Sequence, residues 1–167
     1  MIKLSKLTDY GIVLLTYIAR DRQRVLHTAR DLAEQAQVPL PTVSKVLKLL
    51  LAADLLESHR GVKGGYSLSR APEEITVAEI ISALEGPFGM TECTVEHTGR
   101  TRQPRSSACD LQPHCPVSRK WWVISHAVRD ALERVTLADL VSPGPLVTGK
   151  ARLQNMVPLS VVTGPAQ

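Results

Sequence analysis

The chain has 167 residues, 44% hydrophobic, 22% charged and 4% aromatic, with formal net charge +4 and three cysteines. That length holds one domain with a real core, and the composition excludes wholesale disorder, a collagen and a disulfide-dense secreted scaffold. Apolar runs fall short of the ~20 residues of a membrane span and no signal peptide opens the chain, so a cytoplasmic protein with no membrane partner is expected.

The charge is unevenly placed. Residues 1–70 carry eleven Lys/Arg against six Asp/Glu, residues 71–140 carry seven against ten, and the remainder holds only Lys150 and Arg152. A basic first half before an acidic second half suggests a polyanion-binding module with another task attached behind it. Three cysteines cannot all pair within one chain, and in a reducing compartment they read as ligands, redox thiols or buried small residues.

Along the chain, a first helix is predicted from Thr8 as N-cap, with Asp9 in its first turn, where a carboxylate complements the helix dipole. Its apolar stripe is Tyr10, Val13, Leu14, Tyr17 and Ile18. A second, shorter helix begins at Thr28, a good N-cap, and buries Leu32 and Ala33. Pro39 and Pro41 break the pattern, and Pro41 suits the first turn of a third helix, TVSKVLKLLLAADLL. There Val43, Val46, Leu47, Leu50 and Leu51 face inward, while Thr42, Ser44, Lys45 and Lys48 face out. Two short helices through a tight turn form the pattern of a helix-turn-helix whose second helix enters the major groove. An ordinary amphipathic helix with a solvated lysine face fits this segment equally well.

The next residues tip the balance. Leu55–Ser58 and Tyr66–Leu68 read as two strands around His59-Arg60-Gly61-Val62-Lys63-Gly64-Gly65. A basic, glycine-rich hairpin directly after a recognition helix reads as the wing of a winged helix, with Arg60 and Lys63 at its tip. A fourth helix is expected from Glu73 to about Gly86, packed under the wing. A region without helical or strand period follows, and a final helix is predicted from Val117 to Leu140. Its apolar positions Trp121, Trp122, Ile124, Val128, Leu132 and Val135 exceed what one side of a small domain needs, which suggests a dimer contact. From Val141 on, Pro143, Pro145, Pro158 and Pro165 with three glycines and no period read as a flexible extension. The fold class is therefore mainly α with a small β-hairpin wing. Its parts are a DNA-binding domain at 1–86, a cysteine-bearing loop at 87–116, a dimerisation helix at 117–140 and a tail at 141–167.

The cysteines stand in the spacing C-x15-C-x5-C at Cys93, Cys109 and Cys115. This is not the paired CxxC of a zinc ribbon, yet soft thiolates select iron–sulfur clusters, zinc or copper(I). A cluster usually takes four ligands. Candidates for the fourth are His97, His114, Glu92, Glu96, Asp110 and Asp9. An enzyme is disfavoured, because no nucleophile–base pair or phosphate-cradling loop stands out.

The segments LTDYGIVLLTYIA, HTARDLAEQAQVPLPTVSKVLKLL, HRGVKGGYSLSR and ITVAEIISALEGP resemble the IscR/NsrR family of bacterial transcription regulators, from about Met1 to Leu140. PLPTVSKVLKLL with HRGVKGGY looks most like the subgroup that regulates the SUF iron–sulfur assembly operon. The resemblance implies a dimeric winged-helix regulator in which a long C-terminal helix forms the dimer. It also implies a 2Fe–2S or 4Fe–4S cluster held by Cys93, Cys109 and Cys115.

Two departures stand out. The stretch between Cys93 and Cys109 is about ten residues longer than in relatives with regular C-x5-C-x5-C spacing. The IscR type uses a histidine three residues after the last cysteine, where this chain has Ser118, so that ligand does not carry over. The NsrR type instead uses an aspartate near the N-terminus of the other subunit, and Asp9 sits at the matching place. A plain first-turn carboxylate explains Asp9 equally well.

The expected function is a homodimeric DNA-binding transcription regulator, a repressor of iron–sulfur assembly genes that senses cluster status. On a double-stranded DNA operator, Thr42, Ser44, Lys45 and Lys48 would address the major groove. His59, Arg60 and Lys63 would form the wing contact, and Thr28 and Tyr66 would touch phosphates. The alternatives are a nitric oxide or redox sensor acting on other genes, and a zinc or redox protein on this fold.

Overall fold

A computed structural model describes residues 3–21, 26–61, 63–95 and 115–142. Cys109, the histidines at 97 and 114, and residues 143–167 of the expected tail lie outside the described residues.

The first helix, α1 (Lys6–Arg20), starts earlier than predicted, because Ser5 rather than Thr8 caps it: the Ser5 hydroxyl accepts the Thr8 N–H at 3.3 Å. Thr8 is instead fully buried and donates its hydroxyl to the Glu85 carboxylate, which also accepts the Ser5 N–H at 2.8 Å. The Thr8 hydroxyl first, and then Ser5, hold the Glu85 carboxyl below the usual carboxylate range. The buried face of α1 is Gly11, Leu14, Leu15, Ile18 and Ala19, rotated from the predicted stripe, with Tyr10, Val13 and Tyr17 half-buried at its border. Gly11 explains the rotation: a Cβ there would run into Leu84 Cδ1, so the helix approaches its neighbour along its smallest residue.

The second helix, α2 (Ala29–Ala36), is capped as predicted, with the Thr28 hydroxyl accepting the Asp31 N–H at 3.2 Å. Gln37, left-handed at φ 52°, ends it, and α3 (Leu40–Ala52) follows with Pro41 in its first turn. Val43, Val46, Leu47 and Leu50 are fully buried, whereas Leu51 is only half-buried. This helix is shorter than predicted. Asp54 takes a left-handed φ of 57°, and the Leu55 N–H closes on the Leu50 carbonyl at 3.0 Å, which reverses the chain without a glycine.

Strands β1 (Leu56–His59) and β2 (Gly65–Leu68) then pair antiparallel, in the register Leu56↔Leu68 to His59↔Gly65. His27, ahead of α2, adds a bridge to Tyr66 through bonds of 3.0 and 2.8 Å, so the hairpin is stitched back to the helix-turn-helix. The predicted helix from Glu73 begins later. Pro72–Glu74 is a single 3-10 turn, and α4 (Val77–Glu85) starts at a capping box between Thr76 and Glu79. Burial pushes the Glu79 carboxyl up, but the Thr76 hydrogen bonds and the Arg70 guanidinium at 3.1 Å outweigh it and hold the group low. Rather than lying under the wing, α4 packs on α1 and α3, and β2 rests on α1.

The predicted helix from Val117 to Leu140 is broken. Its first part, α5 (Ser118–Glu133), stops before a second capping box, Thr136 with Asp139, that starts α6 (Leu137–Val141). Thr136 bridges Thr76, the Leu137 N–H donates to the Ile75 carbonyl at 2.8 Å, and the Val77 N–H donates to the Val135 carbonyl at 2.9 Å. Leu137 is thereby fully buried in the same core as Leu14, Leu47 and Ile80. The core thus lies among α1, α2, α3, α4, α6 and the root of the wing. α5 stands at its margin and buries a single residue, Ser125.

Candidate nucleic-acid interface and metal centre

Burial of Val43, Val46, Leu47 and Leu50 fixes how α3 is turned. Ser44, Lys45 and Lys48 are consequently exposed along one stripe, with Pro41 at its leading end and Thr42 half-buried beside it. The spacing of 41, 44, 45 and 48 is that of one helical face, so small hydroxyls and two ammonium groups stand on a common ridge. Such a ridge offers hydrogen bonds to base edges and charge to phosphates.

The hairpin carries its cations at its end. Arg60 and Lys63 are exposed on the turn, and Gly61 has the positive φ, 120°, that this turn requires. Gly64 and Gly65 are needed for space instead: a Cβ on Gly65 would lie 2.8 Å from the His27 carbonyl oxygen, and one on Gly64 would run into the His59 carbonyl. His59 is exposed at the end of β1, with Nε2 3.2 Å from the Ser67 hydroxyl and 3.9 Å from the Glu57 carboxylate. Tyr66 is half-buried and packs against the core, while the Thr28 oxygen is occupied as the α2 cap. Arg30, which sequence reasoning did not single out, is exposed in the first turn of α2.

The cysteine region is built around α5. Cys93 lies in a 3-10 turn, Glu92–Thr94, and is half-buried, with its sulfur 3.2 Å from the Thr91 hydroxyl. That turn packs on α5 through a polar contact, the Ser125 hydroxyl donating to Thr94 Oγ1 at 3.0 Å. Cys115 is half-buried at the other approach to α5, where its carbonyl accepts the Ser118 hydroxyl at 3.2 Å. Ser118 is therefore committed to the helix start. Asp9 is exposed in the first turn of α1. Among the described residues no three His, Cys, Asp or Glu side chains converge on one metal-sized site. Thr91, Thr94 and Ser125 were not singled out from sequence. The available signals were the T-x-x-T turn around Cys93 and a serine at an inward position of an otherwise amphipathic helix.

The N-terminal part of α5 is apolar and open. Val117, Trp121, Trp122, Val123 and Ile124 are all exposed, Val123 at 64%, and the Trp122 ring stacks on His126 with centroids 4.4 Å apart. Four consecutive large hydrophobic residues on a helix surround most of its circumference. Among the described residues, no helix is long and apolar enough to cross a membrane.

A helix-turn-helix with an exposed hydroxyl-and-lysine ridge, followed by a basic hairpin, defines a winged-helix DNA-binding protein. Residues 4–143 match the family Rrf2, described as an iron-dependent transcriptional regulator, and the chain belongs to that family. It is 28% identical over 139 residues to the HTH-type transcriptional regulator NsrR of Bacillus licheniformis, covering 83% of this chain and 92% of that one. It is similar in structure to CymR, the global cysteine regulator of Bacillus subtilis, with a TM-score of 0.62 at 26% identity, covering 87% of this chain and 100% of that one. IscR of T. potens shares the fold, with a TM-score of 0.60 at 23% identity over 84% of this chain and 86% of its own. The chain is thus a DNA-binding transcription regulator, and its relatives are regulators rather than enzymes.

Proposed function

We propose that the protein is a homodimeric repressor of iron–sulfur cluster assembly genes that senses cluster status through a bound iron–sulfur cluster. One observation carries this reading: both described cysteines sit in segments held to α5, the Cys93 turn through the Thr94–Ser125 contact and Cys115 through its backbone carbonyl and Ser118. The same helix carries the exposed apolar residues Trp121 to Ile124, against which a second copy would pack. What happens at the thiols is therefore felt at the proposed dimer seam.

The donor set fits such a cluster. Cys93 and Cys115 are soft, half-buried donors, and a hydroxyl stands ready to hydrogen-bond one of the sulfurs. Cys93, Cys109 and Cys115 would hold the cluster, with Asp9 of the partner subunit as the fourth ligand. When bound, the cluster supplies a redox-active and labile iron centre. Operator contact belongs to Thr42, Ser44, Lys45 and Lys48 in the major groove. Arg60 and Lys63, with His59, serve the wing, and Thr28, the α2 cap, and the half-buried Tyr66 are the proposed phosphate contacts. In a symmetric dimer seated on α5, a shift of α5, which packs on α4, would change the spacing of the two α3 ridges, and half-site spacing is what a palindromic operator reads. The PLPTVSKVLKLL and HRGVKGGY segments support the assembly operon as target.

Similarity to CymR, a global cysteine regulator, favours a second reading in which the protein acts on other genes; a redox or nitric oxide signal at the same thiols is the form that reading takes here. Anaerobic purification tests the primary one. The protein is expected coloured, with iron and acid-labile sulfide that are lost in Cys93→Ala and Cys115→Ala. A colourless wild type without iron or sulfide overturns the cluster. A coloured protein that fails to bind the assembly promoter turns the account to the second reading.

A further inference from the structure

The contact between the Cys93 turn and α5 is polar and buried, which is unusual for the single residue a helix commits to the interior. Ser125 is 5% exposed and Thr94 4%. Their hydrogen bonds can be counted proton by proton, since a hydroxyl has one hydrogen to give and two lone pairs to receive. Thr94 Oγ1 receives the Thr91 N–H at 3.1 Å and the Ser125 hydroxyl at 3.0 Å. It gives its own hydrogen to the Thr91 carbonyl at 2.9 Å. Ser125 Oγ in turn receives the Met90 N–H at 3.2 Å.

Thr94 is therefore saturated. The Thr91 hydroxyl lies 3.1 Å from Thr94 Oγ1 but finds no lone pair there to accept its hydrogen. A lone pair of the Thr91 hydroxyl receives the Thr94 N–H in the capping box, and its hydrogen is left to the Cys93 sulfur at 3.2 Å. A thiolate ligand carries no hydrogen and can only accept, so the direction is set: oxygen donates, sulfur receives.

We propose that Thr91 is a positioning residue that donates a hydrogen bond to the Cys93 sulfur when that sulfur is a cluster ligand, with Thr94 and Ser125 fixing its direction from α5. This rests on the cluster reading above and deepens it. Hydrogen bonds to ligand sulfurs stabilise the more negative, reduced cluster and raise its potential. The network also ties that potential to the seating of α5, because moving Ser125 frees a lone pair on Thr94 that competes for the Thr91 hydrogen.

The test is an anaerobic redox titration of the full-length holoprotein, followed by visible absorbance, with iron and sulfide measured on every sample. Thr91→Val removes the hydrogen and keeps the shape, whereas Thr91→Ser keeps the hydrogen. T91V is expected at a lower midpoint potential than wild type and T91S close to wild type. Ser125→Ala is expected to shift in the same direction as T91V, by less. A T91V protein that loses iron while T91S retains it supports the same conclusion. T91V fully loaded at the wild-type potential, or T91V and T91S both failing to load, overturns the role of Thr91. S125A at the wild-type potential overturns the link to α5. A wild type without iron and sulfide overturns the cluster reading itself and this inference with it, an outcome separate from the others.

Discussion

Gly65 is held where a side chain has no room, because a Cβ would lie 2.8 Å from the carbonyl oxygen and 3.0 Å from the carbonyl carbon of His27. The obstacle is backbone, and that backbone is the one that pairs with Tyr66. Gly65→Ala is expected to push β2 away from His27 and cost about 1–3 kcal/mol, the usual range for forced overpacking. A lowered urea midpoint with an unchanged slope would show it; an unchanged midpoint would mean that the hairpin yields freely. Wing glycines were legible in the sequence as such, but not which constraint each one answers. Gly61 serves a positive φ, whereas Gly64 and Gly65 serve close approach. Gly11 was invisible for a related reason: a residue without a side chain leaves no mark on a hydrophobic stripe, yet it decides which face α1 turns to Leu84.

Element by element, the helix-turn-helix and wing were the most legible, because apolar period, proline placement and Thr28 capping all point the same way there. Helix ends were less so. Asp54 ends α3 in a left-handed conformation that sequence patterns reserve for glycine, and α5 stops with neither glycine nor proline. The T-x-x-D box at Thr136 was the signal for that break, and the period of the surrounding apolar residues hid it. Two predictions belong to this scale. Arg60→Glu with Lys63→Glu should lower the slope of log affinity against log salt by about 0.9 for each phosphate the wing no longer neutralises. An unchanged slope removes the wing from the interface. Trp121→Glu with Trp122→Glu on α5 should convert the proposed dimer to a monomer in sedimentation velocity while circular dichroism stays native. A double variant that sediments as wild type does would place the dimer seam elsewhere.

At the scale of the whole molecule, the basic half supplies the helix-turn-helix and wing, and the described elements of the acidic half pack against them. α4 and α6 complete the core, and α5 stands out as the apolar edge. The mild net charge of +4 conceals this division. Cysteine spacing suggested the proposed ligand site but carried nothing about how Cys93 is attached to the rest of the fold. That attachment is made by small hydroxyls 31 residues apart in the chain, Thr94 and Ser125, and no local pattern links them. The proposed mechanism follows from this geometry: a ligand group on the thiols and a dimer helix share one buried polar contact, so the state of one biases the other.

In the proposed mechanism, cluster occupancy sets operator affinity. That dependence is tested most directly by titrating one iron–sulfur assembly promoter fragment, at fixed salt, with the cluster-loaded dimer and with the same preparation stripped of iron. The account predicts affinities that differ by about fivefold or more, the lower end of ordinary allosteric coupling. It also predicts that reconstitution restores the loaded value. Equal affinities for loaded and stripped protein would contradict it.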